Sequence, residues 1–446
     1  MILIKNASYI VQDADRVLED QDLLINGRRI ERIGRIDPED EGIPRENVLA
    51  GHGYAVLPGF VNAHTHLYQN LLKGCRDDLP LEGWMNQVTF PLCKVIYEDW
   101  WDHQNGEGAY YASLLGCLEM IKSGTTCFFD MELRVPTVCD AIVDSGIRGI
   151  YAPTLADQYT PPSMRKPPDE MKQEIEQFIE KYHRKHERIR VGLAPSTPYI
   201  CSKELLLWAM ATAQKNDMPL QIHVAENKWE VERTIEERGL SPVRYLRSIG
   251  FLSGGVLLGH CIHLDDKEIA ILKDTDSVVV HMPKSNMKLA SGIARIAEMT
   301  KQGVRVALGN DGSASNDIQD MFEEMRACAF LQRALSGDAK ALTARQVFDM
   351  ATKSGARACR SDSGVLEPGR LADIIMVNLM KAHLLPIHDV ISNIVYCGKA
   401  EDVDNTIVDG KIVMRGRKII GLDEQKTLLE ASRVAEGYLE RIKESS

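Results

Sequence analysis

The chain has 446 residues, 53 Lys and Arg against 64 Asp and Glu, and 44% hydrophobic residues. This composition supports a large apolar core and excludes disordered, collagen-like and low-complexity architectures. A net charge of −11 gives no electrostatic footprint for nucleic acid or an anionic membrane, and a small neutral or cationic partner fits better.

Ten cysteines are scattered along the chain with no C-x-x-C pair, so they read as reduced, mostly buried thiols of a cytoplasmic protein. The opening Met1-Ile2-Leu3-Ile4-Lys5-Asn6 goes straight into strand-like alternation. Neither a signal peptide nor a membrane span is expected.

The first fifty or so residues are predicted to be strands, over 3–10 and 23–33, with Asn26-Gly27 as a hairpin signal. Strand-like runs return over 372–378, 391–396 and 403–412, the last interrupted by Asp409-Gly410. Matching ends predict one small β-sandwich domain built from both termini, residues 1–55 and 365–446. Between them, eight short β runs alternate with helical stretches, at 56–66, 125–130, 149–153, 190–195, 220–224, 256–260, 277–281 and 304–311. Eight such βα units predict a (β/α)8 TIM barrel, α/β in class, over residues 56–364. Met171, Ile175, Phe178, Ile179 and Tyr182 recur at helical spacing amid alternating charges, which predicts a solvated helix with one buried face.

The polar outliers of this pattern fall at strand ends. His64 and His66 stand at i and i+2, so both imidazoles point the same way. His223 and Glu226 follow the fifth strand, His260 ends the sixth, His281 the seventh and Asp311 the eighth. A barrel gathers these ends into one ring of loops. Three imidazoles and a carboxylate (His64, His66, His223 and Asp311) suit one borderline divalent ion, zinc by default with iron also fitting, which would activate a water.

These motifs resemble the amidohydrolase superfamily. The residues that carry the resemblance are His64 with His66, His223-x-x-Glu226, Gly259-His260-Cys261, His281-x-Pro283-x-Ser285-Asn286-x-Lys288-Leu289 and Gly309-x-Asp311-Gly312-x-x-Ser315-Asn316. More narrowly, they are similar to the ATZ/TRZ branch of triazine hydrolases, guanine- and cytosine-type deaminases, and methylthioadenosine/S-adenosylhomocysteine deaminases. The resemblance implies a mononuclear site with Asp311 as ligand and proton acceptor. Ala194-Pro195 stands where binuclear relatives place a bridging lysine. It implies a homodimer or homotetramer and no organic cofactor. The implied reaction is hydrolytic deamination of a heteroaromatic amine: activated water attacks the amino-bearing ring carbon, Glu226 shuttles a proton to the ring nitrogen, His260 partners the water or the developing oxygen, and ammonia leaves.

For the substrate, Glu82 and Trp84 in Asp78-Leu79-Pro80-Leu81-Glu82-Gly83-Trp84 resemble a ribose-gripping stretch of nucleoside deaminases, and His281 is a candidate contact or a loop-bonding structural residue. Two departures stand against a nucleoside. Ser196 replaces the substrate histidine of those enzymes, and Tyr151-Ala152-Pro153-Thr154 lacks the arginine that ends their third strand; Arg165 reads as solvated loop charge. An adenosine-type substrate is favoured. An s-triazine chloro- or aminohydrolase and a guanine-, pterin- or cytosine-type deaminase remain alternatives, and a non-catalytic scaffold a remote one.

Overall fold

The computed structural model describes residues 1–252 and 254–444. Its terminal segments meet in one nine-stranded sheet. The N-terminal part supplies Ile2–Val11, Val17–Asn26, Arg29–Gly34, Val48–Ala50 and Tyr54–Pro58, and the C-terminal part Ile374–Asn378, Val403–Val408, Lys411–Arg415 and Lys418–Ile419. The join is the antiparallel pair Tyr54–Pro58 with Ile374–Asn378, in register at Val56 and Met376. Side-chain alternation sorts the two faces of this joint. Val56, Ile374 and Met376 enter a core of their own with Ile4, Ile10, Leu23 and Ile407, whereas Ala55, Leu57, Ile375 and Val377 belong to the large core shared with the central helices.

The central region forms two parallel sheets. Phe60–Thr65, Thr125–Glu132, Arg148–Leu155, Ile189–Val191 and Ala194–Pro195 make one, and Gln221–Val224, Leu257–His260, Val278–His281 and Arg305–Leu308 the other. Hydrogen bonds cross both seams: Gln221 N–H donates to Leu193 O at 3.0 Å on one side, and Asp311 N–H to His64 O at 2.9 Å on the other. Val61, Ala63, Cys127, Phe129, Ile150, Ala152, Ala194, Leu257, Val280 and Ala307 form a separate buried cluster. Alternate residues of several strands thus share one interior, an arrangement consistent with a (β/α)8 barrel.

Three local expectations change. The run 56–66 is two strands, because the chain leaves the terminal sheet at Pro58 and enters the parallel sheet at Phe60. Gly59 makes the crossing: its N–H donates to Asp373 O at 3.0 Å, and a Cβ there would lie 2.2 Å from the Thr126 side chain. The run 391–396 is the helix Val390–Cys397, capped by Asp389, which accepts from Ser392 N–H at 2.7 Å. The polar pair Ser392-Asn393 leaves Ile391, Ile394 and Val395 at i, i+3 and i+4, a helical spacing, and these three are buried with Val390 on one face. Finally, the last element is the helix Glu424–Glu444, not more sheet. The expected solvated helix is present as Pro168–Tyr182, with Met171, Ile175 and Phe178 buried. No helix among the described residues is long and apolar enough to cross a membrane.

Arg148 ties the two parts together. It starts a central strand, yet its guanidinium bonds Asp373 at 2.9 and 3.1 Å and Asp409 at 2.9 Å, all from the C-terminal part. Asp409 N–H in turn donates to Asp373 at 2.7 Å. Removing one member leaves buried charge uncompensated, so Arg148→Met should cost about 3–5 kcal/mol in urea unfolding. Arg28→Ala, which removes a half-exposed partner of the same Asp409, should cost about 1 kcal/mol or less.

Candidate metal and catalytic site

His64 and His66 project from the end of Phe60–Thr65, and Thr65 between them turns away to donate to Asp311 O at 3.1 Å. His223 comes from Gln221–Val224 across the seam. One ligand atom from each of the three histidines lies within 4.8 Å of the others. Asp311 completes the group, with Oδ1 3.5 Å from both His64 Nε2 and His66 Nε2.

What makes this a cation site is the other nitrogen of each ring. His64 Nδ1 pairs with Gln221 Oε1 at 2.7 Å, His66 Nδ1 with Met131 O at 2.5 Å, and His223 Nδ1 with Ser196 O at 2.9 Å. Each oxygen requires an N–H, so each Nε2 presents a lone pair. His64 Nε2 and His223 Nε2 are nevertheless only 3.3 Å apart. Two lone pairs held that close call for a positive ion between them, and the donor set of three imidazoles and a carboxylate fits a divalent one. Burial lowers the pKa of His223 well below its ordinary value and that of His66 to about 4, with the neighbouring histidines adding to the effect.

Asp311 and Glu226 are both buried and differ in charge state. For Asp311, burial opposes ionisation but the surrounding histidines overcome it, holding the carboxyl well below the usual range. Its Oδ2 accepts from Ser285 Oγ at 2.5 Å and its Oδ1 from Gly312 N–H at 2.8 Å. Glu226 has only burial and the charge of Asp311 acting to raise it, and its pKa is pushed up to about 8. His260 stands beside it, with Nε2 3.4 Å from Glu226 Oε2. His260 Nδ1 pairs with Asn286 Oδ1 at 2.8 Å, which fixes the ring. Ala225, His260 and Asp311 have positive φ values of 52°, 66° and 65°, so the backbone at three strand ends is bent into a region costly for side chains to adopt.

A cavity of about 1090 Å³, counted out to open solvent, lies over this group. His66, His223, Glu226, His260 and Asp311 line one part of it, and Trp84, Met85, Phe90, Leu133, Ile200 and Leu289 give apolar wall. Trp84 and Ser196 both line the cavity, and Ser196 also serves His223 through its carbonyl. Two expectations are corrected. Glu82 does not line the cavity: its side chain is exposed on the short helix Leu81–Trp84, while Leu81 and Trp84 face inward. His281 is fully buried behind the wall, neither lining the cavity nor bonding through either ring nitrogen. Arg165 is exposed and bonds Thr160 O at 2.6 Å, as solvated loop charge should.

Several working residues escape a sequence reading. Gln221 is a fully buried polar side chain on a strand, two positions before His223 and so on the same face, which is the only signal it gives. Glu230 straps the turn after that strand, accepting from Ala225 N–H at 3.0 Å and Glu226 N–H at 2.7 Å.

Residues 55–413 match the model of the amidohydrolase family. The chain belongs to the amidohydrolase family. Among relatives of this amidohydrolase, a 5-methylthioadenosine/S-adenosylhomocysteine deaminase from Carboxydothermus hydrogenoformans is 40% identical over 97% of both chains. A 5'-deoxyadenosine deaminase from Methanothermobacter thermautotrophicus is 39% identical over 94% of both. The crystal structure of an adenosine deaminase from Xanthomonas campestris with bound zinc superposes with a TM-score of 0.90, at 28% identity, covering 99% of this chain and 98% of that one.

His64→Ala should abolish stoichiometric binding of a divalent ion, measured by elemental analysis after dialysis. Gln221→Leu should leave the fold intact and weaken metal affinity by about 10–100-fold, read by chelator competition.

Proposed function

We propose that this amidohydrolase is a divalent-metal-dependent hydrolytic deaminase of an adenosine-type nucleoside. The observation that carries the reading is the convergence of His64, His66, His223 and Asp311 on one point, with Glu226 and His260 paired beside them on the wall of one cavity. A divalent ion held by His64, His66, His223 and Asp311, zinc in this proposal, supplies Lewis acidity and a water ionised near neutral pH.

The chain's own residues do the rest. Asp311 accepts the proton released from water. Glu226 hands a proton to the ring nitrogen beside the amino-bearing carbon, which makes that carbon electrophilic. His260, fixed by Asn286, offers Nε2 toward Glu226 and the reacting edge. A C–O bond forms, Asp311 passes the proton it took from water to the amino group, the exocyclic C–N bond breaks and ammonia leaves, and the hydroxyl proton of the adduct returns to Glu226 as the carbonyl forms. The apolar walls exclude water and accept a planar ring.

We also assign the two parallel sheets to one closed barrel and the terminal sheet to a composite β module of sandwich form, with the boundary at Pro58-Gly59. The seam hydrogen bonds and the alternation of the two cores support both assignments.

A second reading rests on Glu82 and Ser196. With Glu82 outside the cavity and serine in place of a histidine, a sugar-free amino heterocycle such as a triazine also fits the apolar walls. A panel of adenosine, 5'-deoxyadenosine, methylthioadenosine, guanine-type bases and aminotriazines separates the two by ammonia release: nucleosides should turn over best, and turnover of free rings alone would transfer the assignment. Glu226→Gln should keep its metal and lose about 100- to 10,000-fold in kcat; unchanged kcat would remove Glu226 from proton transfer.

A further inference from the structure

One charged group on the cavity wall has no task in the chemistry above. Arg134 follows the strand Thr125–Glu132, lines the cavity and is 3% exposed. Two edges of its guanidinium are fixed: Nε donates to Glu174 Oε2 at 3.0 Å and Nη1 to Thr154 O at 3.0 Å. Aromatic rings support its face, with Cζ 5.2 Å from the Tyr97 ring centre and 5.7 Å from that of Trp101. The remaining nitrogen, Nη2, is buried without a hydrogen-bond partner.

The local charge does not cancel either. Lys166 Nζ also bonds Glu174, at 3.2 Å, so one carboxylate serves two cations. Trp84 Nε1 and Thr160 Oγ1, both able to donate, are likewise buried, unpartnered and on the wall of the same cavity. A permanently charged, rigidly held fork with a free N–H matches a carboxylate better than any neutral group.

We propose that Arg134 is a specificity residue that receives a carboxylate, or an equivalent anionic oxygen, carried by the substrate outside the ring that is deaminated. The proposal rests on the deaminase reading and narrows its substrate class to derivatives that carry a carboxylate or equivalent anionic oxygen. It assigns Arg134 to substrate binding and gives it no part in the bond-breaking step.

The test compares S-adenosylhomocysteine with its decarboxylated counterpart, which keeps the nucleoside, thioether and amine, on zinc-loaded wild type, Arg134→Gln and Arg134→Lys. Wild type should prefer the carboxylate by about 10–100-fold in kcat/KM. Arg134→Gln should lose that preference through KM, its loss on S-adenosylhomocysteine exceeding its loss on the decarboxylated compound by about 10–100-fold, and Arg134→Lys should restore part of it. Equal losses on both compounds would make Arg134 a structural clamp and overturn the proposal. Equal turnover of both by wild type would overturn it while leaving the deaminase reading intact. If no nucleoside turns over, that reading fails, and calorimetric binding of the two compounds to wild type then decides the anion site alone: absence of a carboxylate preference overturns it. The wild-type comparison needs no variant to fold.

Discussion

Three hydrogen bonds from imidazole Nδ1 govern this site. Nothing in a strand end fixes which nitrogen of a histidine faces the barrel mouth. Gln221 Oε1, Met131 O and Ser196 O each demand an N–H, and so turn the Nε2 lone pairs of His64, His66 and His223 toward one point. Two of these acceptors are backbone carbonyls at the ends of neighbouring strands or just beyond, so the sheet geometry itself sets the tautomers. The site is therefore only as well formed as the seams that position those strands. Asp311 shows the dependence in one residue: its backbone N–H closes a seam on His64 O while its carboxylate faces the same histidine.

Electrostatic division of labour follows from that arrangement. Asp311 and Glu226 sit in the same desolvated environment, and burial alone would raise both. The histidines reach Asp311 strongly enough to reverse the effect, whereas Glu226, farther along its loop, feels chiefly burial and the charge of Asp311. One carboxylate thereby helps keep the other protonated. A pair whose environments push their pKa values apart is suited to take a proton at one place and give it at another. Glu230 holds Glu226 in place through two backbone N–H groups rather than through its carboxylate, which leaves that carboxylate free for the cavity.

How much of this the sequence discloses depends on the range of the interaction. His64 and His66 are legible because period-two geometry is local, and His223, His260 and Asp311 because each interrupts an apolar strand at its end. The break at Pro58-Gly59 was less visible: both flanks are apolar and strand-forming, and only the tertiary partners Asp373 and Thr126 distinguish two strands from one. The helix Val390–Cys397 was hidden by composition, since its β-branched residues favour a strand although Ile391, Ile394 and Val395 already stand at helical spacing. Glu82 misled because a motif fixes sequence spacing and not the direction of a side chain on a four-residue helix.

Arg134 and Arg148 mark the limit of such reading. Both are buried arginines on or beside central strands, and in sequence neither differs from a solvated charge. Arg148 finds two aspartates from the far end of the chain, and its charge is consumed in joining the two parts of the fold. Arg134 finds a single carboxylate, already shared with Lys166, and keeps one nitrogen unbonded on the cavity wall. Burial of a guanidinium is costly wherever it occurs, so a fold that satisfies one almost completely and leaves the other short of an acceptor treats them differently for a reason. In the first case the missing partners are supplied within the chain; in the second the acceptor has to arrive with whatever fills the cavity.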